Sequence, residues 1–333
     1  MQQRQLGRTG PLVSAIGLGC MGMSSGIYGP SNRAEGIATI HAAVETGVTL
    51  FDTGDFYGMG HNETLLGEAL RGTARDKAVV SVKFGAMRSP SGQMFGTDAR
   101  PVAVRNFLTY SLGRLGLDYV DIYRPARLDP AVPIEDTVGA IKEMIEAGYV
   151  RHIGLSEVGE ETIRRAAAAH PVADLQIEYS VLSRGIEDRI LPTCRELGIG
   201  ITAYGVLSRG LLSSSFAKRT YPAGDIRNRS PRFESGNLDA NLLLVDKLRT
   251  IAEAKGLNIA QLAFAWVAAQ GADIVPLVGA RRPEHLHEAL GSLDVGLTPD
   301  DLTTIAAAIP RGAVVGTRYG PAQMADLDSE RGC

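Results

Sequence analysis

Residues 50–58 read LFDTGDFYG, a short apolar run that ends on an acid and continues into glycines. Such a run, bounded by turn residues, is typical of a buried strand, which we predict at residues 48–51. Asp52 follows this strand directly, and Tyr57 comes five residues later. A second apolar run, AVVSV at residues 78–82, ends on Lys83. An acid, a phenol and an amine therefore stand just beyond the carboxyl ends of two successive predicted strands.

These three side chains have complementary acid–base chemistry. In an α/β barrel all strand ends converge on one face, so Asp52, Tyr57 and Lys83 are expected to meet there. A nearby ammonium group lowers the pKa of a phenol, ordinarily about 10, and a carboxylate keeps a lysine charged and in place. The trio predicts a phenol that protonates a carbonyl oxygen while a hydride reaches its carbon. Taken singly, each residue also fits a structural role, as a turn former, a solvated group or a packing residue.

Strand and helix patterns alternate along the chain. The first strand is expected within residues 15–22, and apolar runs predict further strands at 48–51, 79–82, 119–123, 150–154, 174–177, 199–203 and 274–277. Helical spacing appears between them at 33–46, 63–70, 102–115, 134–146, 161–169, 186–197 and 283–290. Asn62 is the predicted cap of the second of these helices. The alternation predicts an α/β fold in which eight strands close into one parallel (β/α)8 TIM barrel.

One domain is predicted over residues 1–333, because no linker-like composition divides the chain. The barrel core spans residues 15–297, an N-terminal hairpin is expected at 5–16, and residues 310–333 form a polar tail that either covers the site or is partly disordered. The sequence GLGCMG at residues 17–22 matches the glycine pattern of a Rossmann fold. No helix pattern follows it, so we assign it to the first barrel strand and its loop.

A long segment without clear periodicity, residues 205–237, follows the seventh predicted strand. Loops of this length inside compact domains tend to be functional. This one carries more basic than acidic side chains, and in many barrels the loops after strands seven and eight bind phosphate. A phosphate site and a solvated surface loop both fit the pattern. The charged residues are Arg209, Lys218, Arg219, Asp225, Arg227, Arg229, Arg232 and Glu234.

Bulk composition excludes several classes of function. The 333 residues carry a net charge of −3 with acids and bases interspersed, so no basic face indicates a nucleic-acid partner. No apolar run is long enough to cross a membrane, and the N-terminal residues lack the apolar segment of a secretory signal. Cys20, Cys194 and Cys333 indicate reduced thiols, and no His/Cys/acid cluster indicates a metal. A cytoplasmic protein is predicted, and a homo-oligomer stays open.

The segment FDTGDFYG at residues 51–58 resembles the signature of the aldo-keto reductase family, NADP-dependent oxidoreductases with a TIM-barrel fold. The resemblance continues in the expected order over residues 6–297. It implies that Asp52, Tyr57 and Lys83 are three of the four members of a catalytic tetrad. Tyr57 would be the general acid and base, Lys83 would adjust its pKa, and Asp52 would be the partner of the lysine.

The same resemblance implies a site for the nicotinamide ring of NADP(H) at the ends of strands five to seven. Ser156 and Gln176 match the residues that hold the carboxamide, and Tyr204 matches the residue that stacks on the ring. Glu157 stands where an Asn is more common, as in some branches of the family, so its contact with the carboxamide is left open.

Two further segments resemble the parts of the family that bind the rest of the dinucleotide. The pyrophosphate segment is matched by Leu207, Ser208, Arg209 and Gly210. The adenosine-phosphate end is matched by Gly279, Arg281, Arg282 and Glu288. A helix predicted from residue 283 favours an anion at its N-terminus, and arginines can bind phosphate through two hydrogen bonds. Ala289 replaces the usual adenine-contacting Asn, so that contact is expected to be lost.

The fourth member of the tetrad, a histidine, is absent from its expected position. Family sequences resemble DLYxxHRxD after the fourth strand, whereas residues 121–129 read DIYRPARLD, with Ala126 in place of the histidine. The histidine ordinarily orients the carbonyl and donates to its oxygen. Its loss is expected to weaken simple carbonyl reduction or to make room for a bulkier substrate. Arg124 and Arg127 are alternative donors between which the sequence does not decide.

These features predict an NADP(H)-dependent oxidoreductase that reversibly reduces a small-molecule aldehyde or ketone to an alcohol. Ala126 supports a second hypothesis, an NADPH-binding sensor with little turnover. A third hypothesis, an aldolase-type barrel in which Lys83 forms a Schiff base, would leave the predicted cofactor residues unexplained. The identity of the substrate cannot be read from the sequence.

Overall fold

The computed structural model describes residues 1–217 and 220–331. Within them, eight parallel strands pair in chain order and close into a barrel, the last beside the first. The predicted TIM-barrel fold is confirmed. The strands are Gly17–Gly19 (β1), Leu50–Gly54 (β2), Val79–Phe84 (β3), Val120–Pro125 (β4), Val150–Ser156 (β5), Val172–Glu178 (β6), Gly200–Tyr204 (β7) and Ile274–Val278 (β8).

Helices lie outside the barrel and connect successive strands. They are Arg33–Glu45 (α1), His61–Ala69 (α2), Pro101–Leu115 (α3), Ile134–Glu146 (α4), Glu160–Ala169 (α5), Ile190–Leu197 (α6), Ser235–Ala254 (α7), Ile259–Ala269 (α8), Pro283–Leu290 (α9), Pro299–Ala308 (α10) and Pro321–Ala325 (α11). Both α7 and α8 lie between β7 and β8, while α10 and α11 follow the barrel. The polar tail therefore contains ordered structure.

The prediction that Asn62 caps α2 is wrong. Gly60, with φ of 92°, precedes the helix, and Asn62 lies buried inside its first turn. Its amide nitrogen donates to the carbonyl of Cys20 at 2.8 Å and to the hydroxyl of Ser24 at 2.9 Å, and its oxygen accepts from Thr53 at 2.7 Å. The side chain joins the loop after β1 to the end of β2, because three buried partners satisfy it better than a helix end would.

An N-terminal hairpin closes the amino end of the barrel. Its strands, Gln3–Gln5 and Leu12–Ser14, pair antiparallel, which confirms the hairpin predicted there. Gly7 has φ of 68°, and a Cβ at this position would come within 2.2 Å of the Ala173 carbonyl oxygen. Only glycine fits this approach. Leu6 is fully buried below the barrel.

A buried ion pair lies inside the barrel. Arg124 on β4 is fully buried, and its Nη1 lies 2.9 Å from Oδ2 of Asp174 on β6. Nη1 also donates to the Leu155 carbonyl at 3.3 Å, and Nη2 donates to Ser81 Oγ at 2.9 Å. A charge so deeply buried requires such a partner and further hydrogen bonds. Arg124 is therefore held within the barrel and does not replace the missing histidine.

The observed strands continue beyond the predicted apolar runs at their carboxyl ends. β5 ends on Ser156, β6 on Glu178 and β7 on Tyr204, each one to two residues later than the apolar pattern indicates. Backbone pairing continues where polar side chains begin, so a hydrophobicity pattern stops short of it. A hairpin of Ala86–Arg88 and Met94–Thr97, after β3, was not predicted.

The cysteines agree with the prediction as far as they are described. Cys20 and Cys194 are buried free thiols, and Cys333, like Lys218 and Arg219 of the long loop, lies outside the described residues. Burial raises the pKa of the Cys194 thiol to about 12. Among residues 1–217 and 220–331, no helix is long and apolar enough to cross a membrane.

Candidate active site

Asp52 and Lys83 form a buried ion pair at the carboxyl ends of β2 and β3. Each residue is only 3% exposed, and Lys83 Nζ donates to Asp52 Oδ2. The other carboxylate oxygen, Oδ1, accepts from Ser81 Oγ at 3.1 Å and from Gln176 Nε2 at 2.8 Å. Asp52 thus has a full set of partners, which fixes its orientation in the barrel mouth.

Tyr57 lies directly beside this pair. Tyr57 begins a tight turn after β2 in which Gly58, Met59 and Gly60 all have positive φ. Met59, with φ of 53°, is the strained residue because it is not a glycine. The phenol is 6% exposed, and Lys83 Nζ lies 5.0 Å from the centre of its ring. The structure therefore brings together the three side chains that the sequence singled out.

The electrostatics around Tyr57 differ from the expectation for a lysine-activated phenol. Burial, and then the Asp52 carboxylate, raise the pKa of Tyr57 well above its ordinary value of 10.0, and the cation that chiefly opposes them is Arg127. Burial also lowers the pKa of Lys83, although Asp52 opposes that shift. Because Lys83 is paired with Asp52, much of its field at the phenol is cancelled. Tyr57 is thus a protonated donor at neutral pH.

Ala126 lies at the end of β4 and is buried, only 1% exposed. Next to it, Arg127 is half-buried, and its Nη1 donates to the Ala126 carbonyl at 2.6 Å. Despite burial, the pKa of Arg127 is raised by Tyr319, Tyr204, Glu157 and Tyr57, so its guanidinium borders the pocket that these side chains share. Of the two arginines left open by the sequence, Arg127 is the one beside the site.

Strands β5 to β7 bring the predicted ring-binding residues to the same mouth. Ser156 and Gln176 are paired neighbours in the sheet and are 2% and 3% exposed. Tyr204 ends β7, and its hydroxyl donates to Glu157 Oε1 at 2.8 Å. The amide nitrogen of Gln176 donates to Asp52, which links the Asp52–Lys83 pair to the predicted ring-binding residues.

The C-terminal tail contributes residues that the sequence did not identify. The hydroxyls of Tyr319 and Tyr204 lie 2.8 Å apart, and Arg318 Nη2 lies 2.8 Å from Glu157 Oε2. Arg209 from the loop after β7 stacks over the Tyr319 ring, with its guanidinium carbon 4.6 Å from the ring centre. A polar tail of this kind has no periodic pattern, so only the folded chain shows where it lies.

The loop after β7 crosses towards the loop after β1. Ser208, Arg209 and Gly210 have φ values of 46°, 57° and 96°, a run that is strained at its first two residues. Leu207, just before them, is half-buried against the core. Further on, the Ile226 N–H donates to the carbonyl of Ile27 at 2.9 Å, so the two loops are joined across the groove between them.

Two of the described basic residues of this loop are paired with carboxylates. Arg227 forms an ion pair with Asp225 at 2.7 Å and stacks over the Tyr221 ring at 3.9 Å. Arg232, which is 8% exposed, lies 3.4 Å from Glu178. The positive charge expected of the loop is therefore neutralised at Arg227 and Arg232.

Residues before and within α9 occupy the far end of the groove. Arg281 Nη1 donates to the carbonyls of Tyr28 and Pro30, both at 3.2 Å, so its charge has no carboxylate partner among these contacts. Arg282 lies 3.4 Å from Glu35, and both side chains are solvent-exposed. Glu288 accepts from the Ser214 hydroxyl, which ties α9 to the long loop. Gly279 leaves open space where a Cβ would lie.

This set of groups suits a nicotinamide dinucleotide. The hydroxyl of Ser156, the amide of Gln176 and the phenol ring of Tyr204 lie on neighbouring strands at the barrel mouth, and they match a carboxamide and an aromatic ring. The strained loop and Arg281 lie further along the groove, where phosphates would be placed. Across the described residues, no group of three or more His, Cys, Asp or Glu side chains could hold a metal ion.

A second pair of buried acids lies behind Tyr57. Asp55 is 8% exposed, and its Oδ2 accepts from the Gly85 N–H at 3.2 Å. Glu63 is fully buried, and its Oε2 lies 2.5 Å from Arg114 Nε. Burial, helped by Glu63, raises the pKa of Asp55 to about 7 in spite of the Gly85 N–H.

Comparison with known proteins gives a consistent result. The sequence profile of the Aldo/keto reductase family matches residues 15–310. The chain is 40% identical to "Probable aldo-keto reductase 1" of Glycine max over 319 residues, 96% of this chain and 92% of the relative. The structure resembles the glycerol dehydrogenase AKR11B4 from Gluconobacter oxydans, with a TM-score of 0.84, 28% identity and coverage of 93% and 95% of the two chains. It also resembles the thermostable aldo-keto reductase Tm1743, with a TM-score of 0.74, 27% identity and coverage of 92% and 100%.

Asp55 generates a prediction for the pH dependence of stability. Its pKa is about 7 in the folded chain against an ordinary 3.8, so folding stabilises the protonated form. The contribution of Asp55 to the free energy of unfolding is fully present below about pH 4. It is lost as the pH rises to about 7, by at most about 1.4 kcal/mol per pH unit. The side chain of Asp55→Asn stays neutral at every pH. As the pH rises across this window, the free energy of unfolding of the variant should therefore increase relative to that of the wild type.

Urea unfolding at several pH values from 4 to 8 measures this difference. Asp246→Asn, at a side chain that is 69% exposed, is the control and should show no such trend. A difference between Asp55→Asn and the wild type that stays constant with pH would show that Asp55 ionises normally.

Proposed function

Because this chain belongs to the aldo/keto reductase family and is an oxidoreductase acting on small-molecule carbonyl compounds with a nicotinamide cofactor, we propose that it reduces an aldehyde or ketone with NADPH, reversibly. Tyr57 is the proposed general acid. The observation that carries the proposal is the buried Asp52–Lys83 pair beside the Tyr57 phenol. Family membership also disfavours the aldolase hypothesis, in which Lys83 would have to leave its carboxylate.

In this mechanism the bound cofactor supplies a hydride to the carbonyl carbon. Tyr57 holds a proton for the carbonyl oxygen, which becomes strongly basic as the bond to hydride forms. The raised pKa of Tyr57 keeps the phenol protonated near neutral pH, and an alkoxide is basic enough to take its proton. Alcohol oxidation needs the phenolate instead, so the site favours reduction near neutral pH.

The proposed cofactor residues surround this acid. Ser156 and Gln176 would hold the carboxamide, and the ring would stack on Tyr204. Leu207, Ser208, Arg209 and Gly210 would line the pyrophosphate, with Gly279, Arg281, Arg282 and Glu288 at the adenosine end. The strained run at residues 208–210 and the position of Arg281 at the groove support this placement of the pyrophosphate and the adenosine end.

We further propose one domain over residues 1–333 and a cytoplasmic location. A continuous apolar core that joins residues from Ile16 to Ile309 supports the single domain. The free thiols of Cys20 and Cys194 support a reducing compartment. Homo-oligomer formation is left open.

The sensor hypothesis is kept because of Ala126. The tetrad histidine is absent, and the buried Arg124 is bound to Asp174, so the usual donor to the substrate oxygen has no direct replacement on β4. A protein of this kind would bind NADPH through the same residues and turn over slowly. Turnover and binding must therefore be measured separately.

The assignment of the acid predicts that Tyr57→Phe loses about 10²- to 10⁴-fold in kcat, because a positioned proton donor is removed. NADPH affinity should stay unchanged. Lys83→Met should also lose turnover, since it leaves Asp52 as an unpaired buried charge beside the phenol. The measurements are steady-state kinetics with a panel of carbonyl compounds and a fluorescence titration with NADPH.

Tyr123→Phe is the control, because Tyr123 is a buried tyrosine on β4 whose hydroxyl donates to the Val104 carbonyl. Near-normal kcat in Tyr57→Phe would refute the assignment. A wild type that binds NADPH but reduces nothing in the panel would favour the sensor.

Cofactor preference is tested at Arg281. A charge-assisted contact with the 2′-phosphate contributes about 1.5–3 kcal/mol, or roughly 10- to 150-fold in affinity. Arg281→Ala should weaken NADPH binding by that factor and leave NADH binding nearly unchanged. Arg282→Ala is the matched comparison and should do less, because Arg282 is exposed and already near Glu35. An equal loss for both nucleotides would show that Arg281 does not bind the 2′-phosphate.

The alanine at position 126 predicts a preference among substrates. Without the histidine, a small aldehyde is held loosely, and a misplacement of about 1 Å can cost on the order of 10²-fold. We expect weak activity on small aldehydes and better activity on a larger, polar carbonyl compound. Ala126→His should raise kcat/KM for the first and lower it for the second.

Ala126→Leu, which fills space without a donor, should lower both activities. A gain for both substrates in Ala126→His would indicate decayed catalysis and favour the sensor. No change for either would mean that residue 126 does not face the reacting carbonyl.

A further inference from the structure

Glu157 is a fully buried carboxylate next to the proposed nicotinamide site. Its φ is 53°, a strained value for a glutamate, and its side chain is 0% exposed. Oε1 accepts from the Tyr204 hydroxyl at 2.8 Å and from the Glu178 N–H at 2.9 Å. Oε2 accepts from the Ser329 hydroxyl at 2.8 Å. Every one of these contacts favours the ionised form.

Arg318 supplies the opposite charge from the C-terminal tail, 161 residues away in the chain. Its Nη2 and Nη1 donate to the two oxygens of Glu157 at 2.8 and 3.1 Å, a bidentate pairing. It also lies 2.6 Å from Glu330 and 3.4 Å from Glu178. Burial alone would raise the pKa of Glu157, but Arg318, together with Arg127 and the Glu178 N–H, outweighs it and lowers the pKa to about 2.

The position of this ion pair has a specific electrostatic consequence. The oxidised nicotinamide ring carries a positive charge, and the reduced ring is neutral. A carboxylate 2.8 Å from the phenol on which the ring would stack favours the oxidised form, unless another charge cancels its field. Arg318 is that charge.

We propose that the ion pair between Glu157 and Arg318 sets the relative affinity of this site for oxidised and reduced nicotinamide, with Arg318 as a positioning residue that acts through Glu157. The inference rests on the proposed function. It makes the docked C-terminal tail part of the cofactor site, because Arg318 reaches Glu157 only when the tail lies across the barrel mouth.

The other charges near the pair do not replace Arg318. Arg232 lies against Glu178 at 3.4 Å and is also hydrogen-bonded to Ser183, so it balances a different carboxylate. Arg127 and Arg209 border the same pocket from β4 and from the loop after β7, and no direct contact joins either to Glu157. Removal of Arg318 therefore leaves the carboxylate of Glu157 without a bidentate partner.

The test is the ratio of dissociation constants, Kd for NADPH divided by Kd for NADP+, measured by fluorescence and calorimetry at pH 8. In Arg318→Met the uncompensated carboxylate should raise this ratio by about tenfold, because it attracts the charged ring. In Glu157→Gln the ratio should fall, because the variant loses the negative charge beside the ring site while Arg318 stays in place on Glu330 and Glu178. Arg318→Lys keeps the charge and should return the ratio to near the wild-type value.

Opposite shifts in two variants separate this role from a structural one, since a loosened site would weaken both nucleotides and leave the ratio unchanged. Arg311→Met is the matched control. Arg311 also anchors the tail, through Glu187 and Asp188, but it is 49% exposed and makes no contact with Glu157 or Tyr204. Its ratio should equal that of the wild type.

An unchanged ratio in Glu157→Gln and Arg318→Met, or a shift of the same sign in both, would overturn the inference while the proposed function stands. If Arg318→Met does not fold, the sign of the shift in Glu157→Gln decides. A wild type that binds neither nucleotide would overturn the proposed function and the inference together.

Discussion

The buried attraction between Asp52 and Lys83 is the interaction around which the barrel mouth is arranged. Two charges at 3% exposure are stable only when each has a partner and the remaining lone pairs are hydrogen-bonded. Ser81 and Gln176 provide those bonds to Asp52. Because Gln176 comes from β6, the pair also fixes the distance between the second and sixth strands at this end.

A second buried pair continues the same network through the barrel. Ser81 donates to Asp52 and accepts from Arg124, and Arg124 is paired with Asp174. Thr202 on β7 donates to the same carboxylate as Arg124. Charges from four strands, β2, β3, β4 and β6, therefore balance one another inside the barrel. This arrangement explains how the charge of Arg124 is accommodated inside the barrel.

The sequence predicted the residues whose positions follow from strand order. Asp52, Tyr57 and Lys83 converge because parallel strands bring their carboxyl ends to one face. Ser156, Gln176 and Tyr204 were identified by the family resemblance, and they reach the same face for the same reason. Contacts between side chains far apart in the chain could not be predicted. Nothing in the local sequence of Glu157 indicates Arg318, and nothing around Tyr57 indicates that Asp52 would cancel the field of Lys83.

The error at Asn62 has a physical origin in contacts that are distant in sequence. Asn62 has the residue type and the position of a helix cap. In the folded chain, however, its side chain is buried and makes hydrogen bonds to Cys20, Ser24 and Thr53. For the polar tail the sequence left two alternatives open, a cover over the site and partial disorder, and the ion pairs of Arg318 hold the tail against the barrel mouth. Local helix propensity therefore does not predict the position of a buried polar side chain whose hydrogen-bond partners are distant in sequence.

The mouth of the barrel contains polar groups that, under the proposed function, would compensate in part for the missing histidine. A neutral imidazole would give one hydrogen-bond donor beside Tyr57, whereas Arg127 and the Tyr319 hydroxyl now border the same pocket. A permanent cation next to a phenol with a raised pKa stabilises a negative oxygen as it forms, without competing for the proton that the phenol holds. Under the proposed function, these groups would take over part of the electrostatic role of the missing histidine. Tyr319 follows Arg318 in the chain, so the ion pairs of Arg318 hold its hydroxyl at the barrel mouth and couple this part of the site to the docking of the tail.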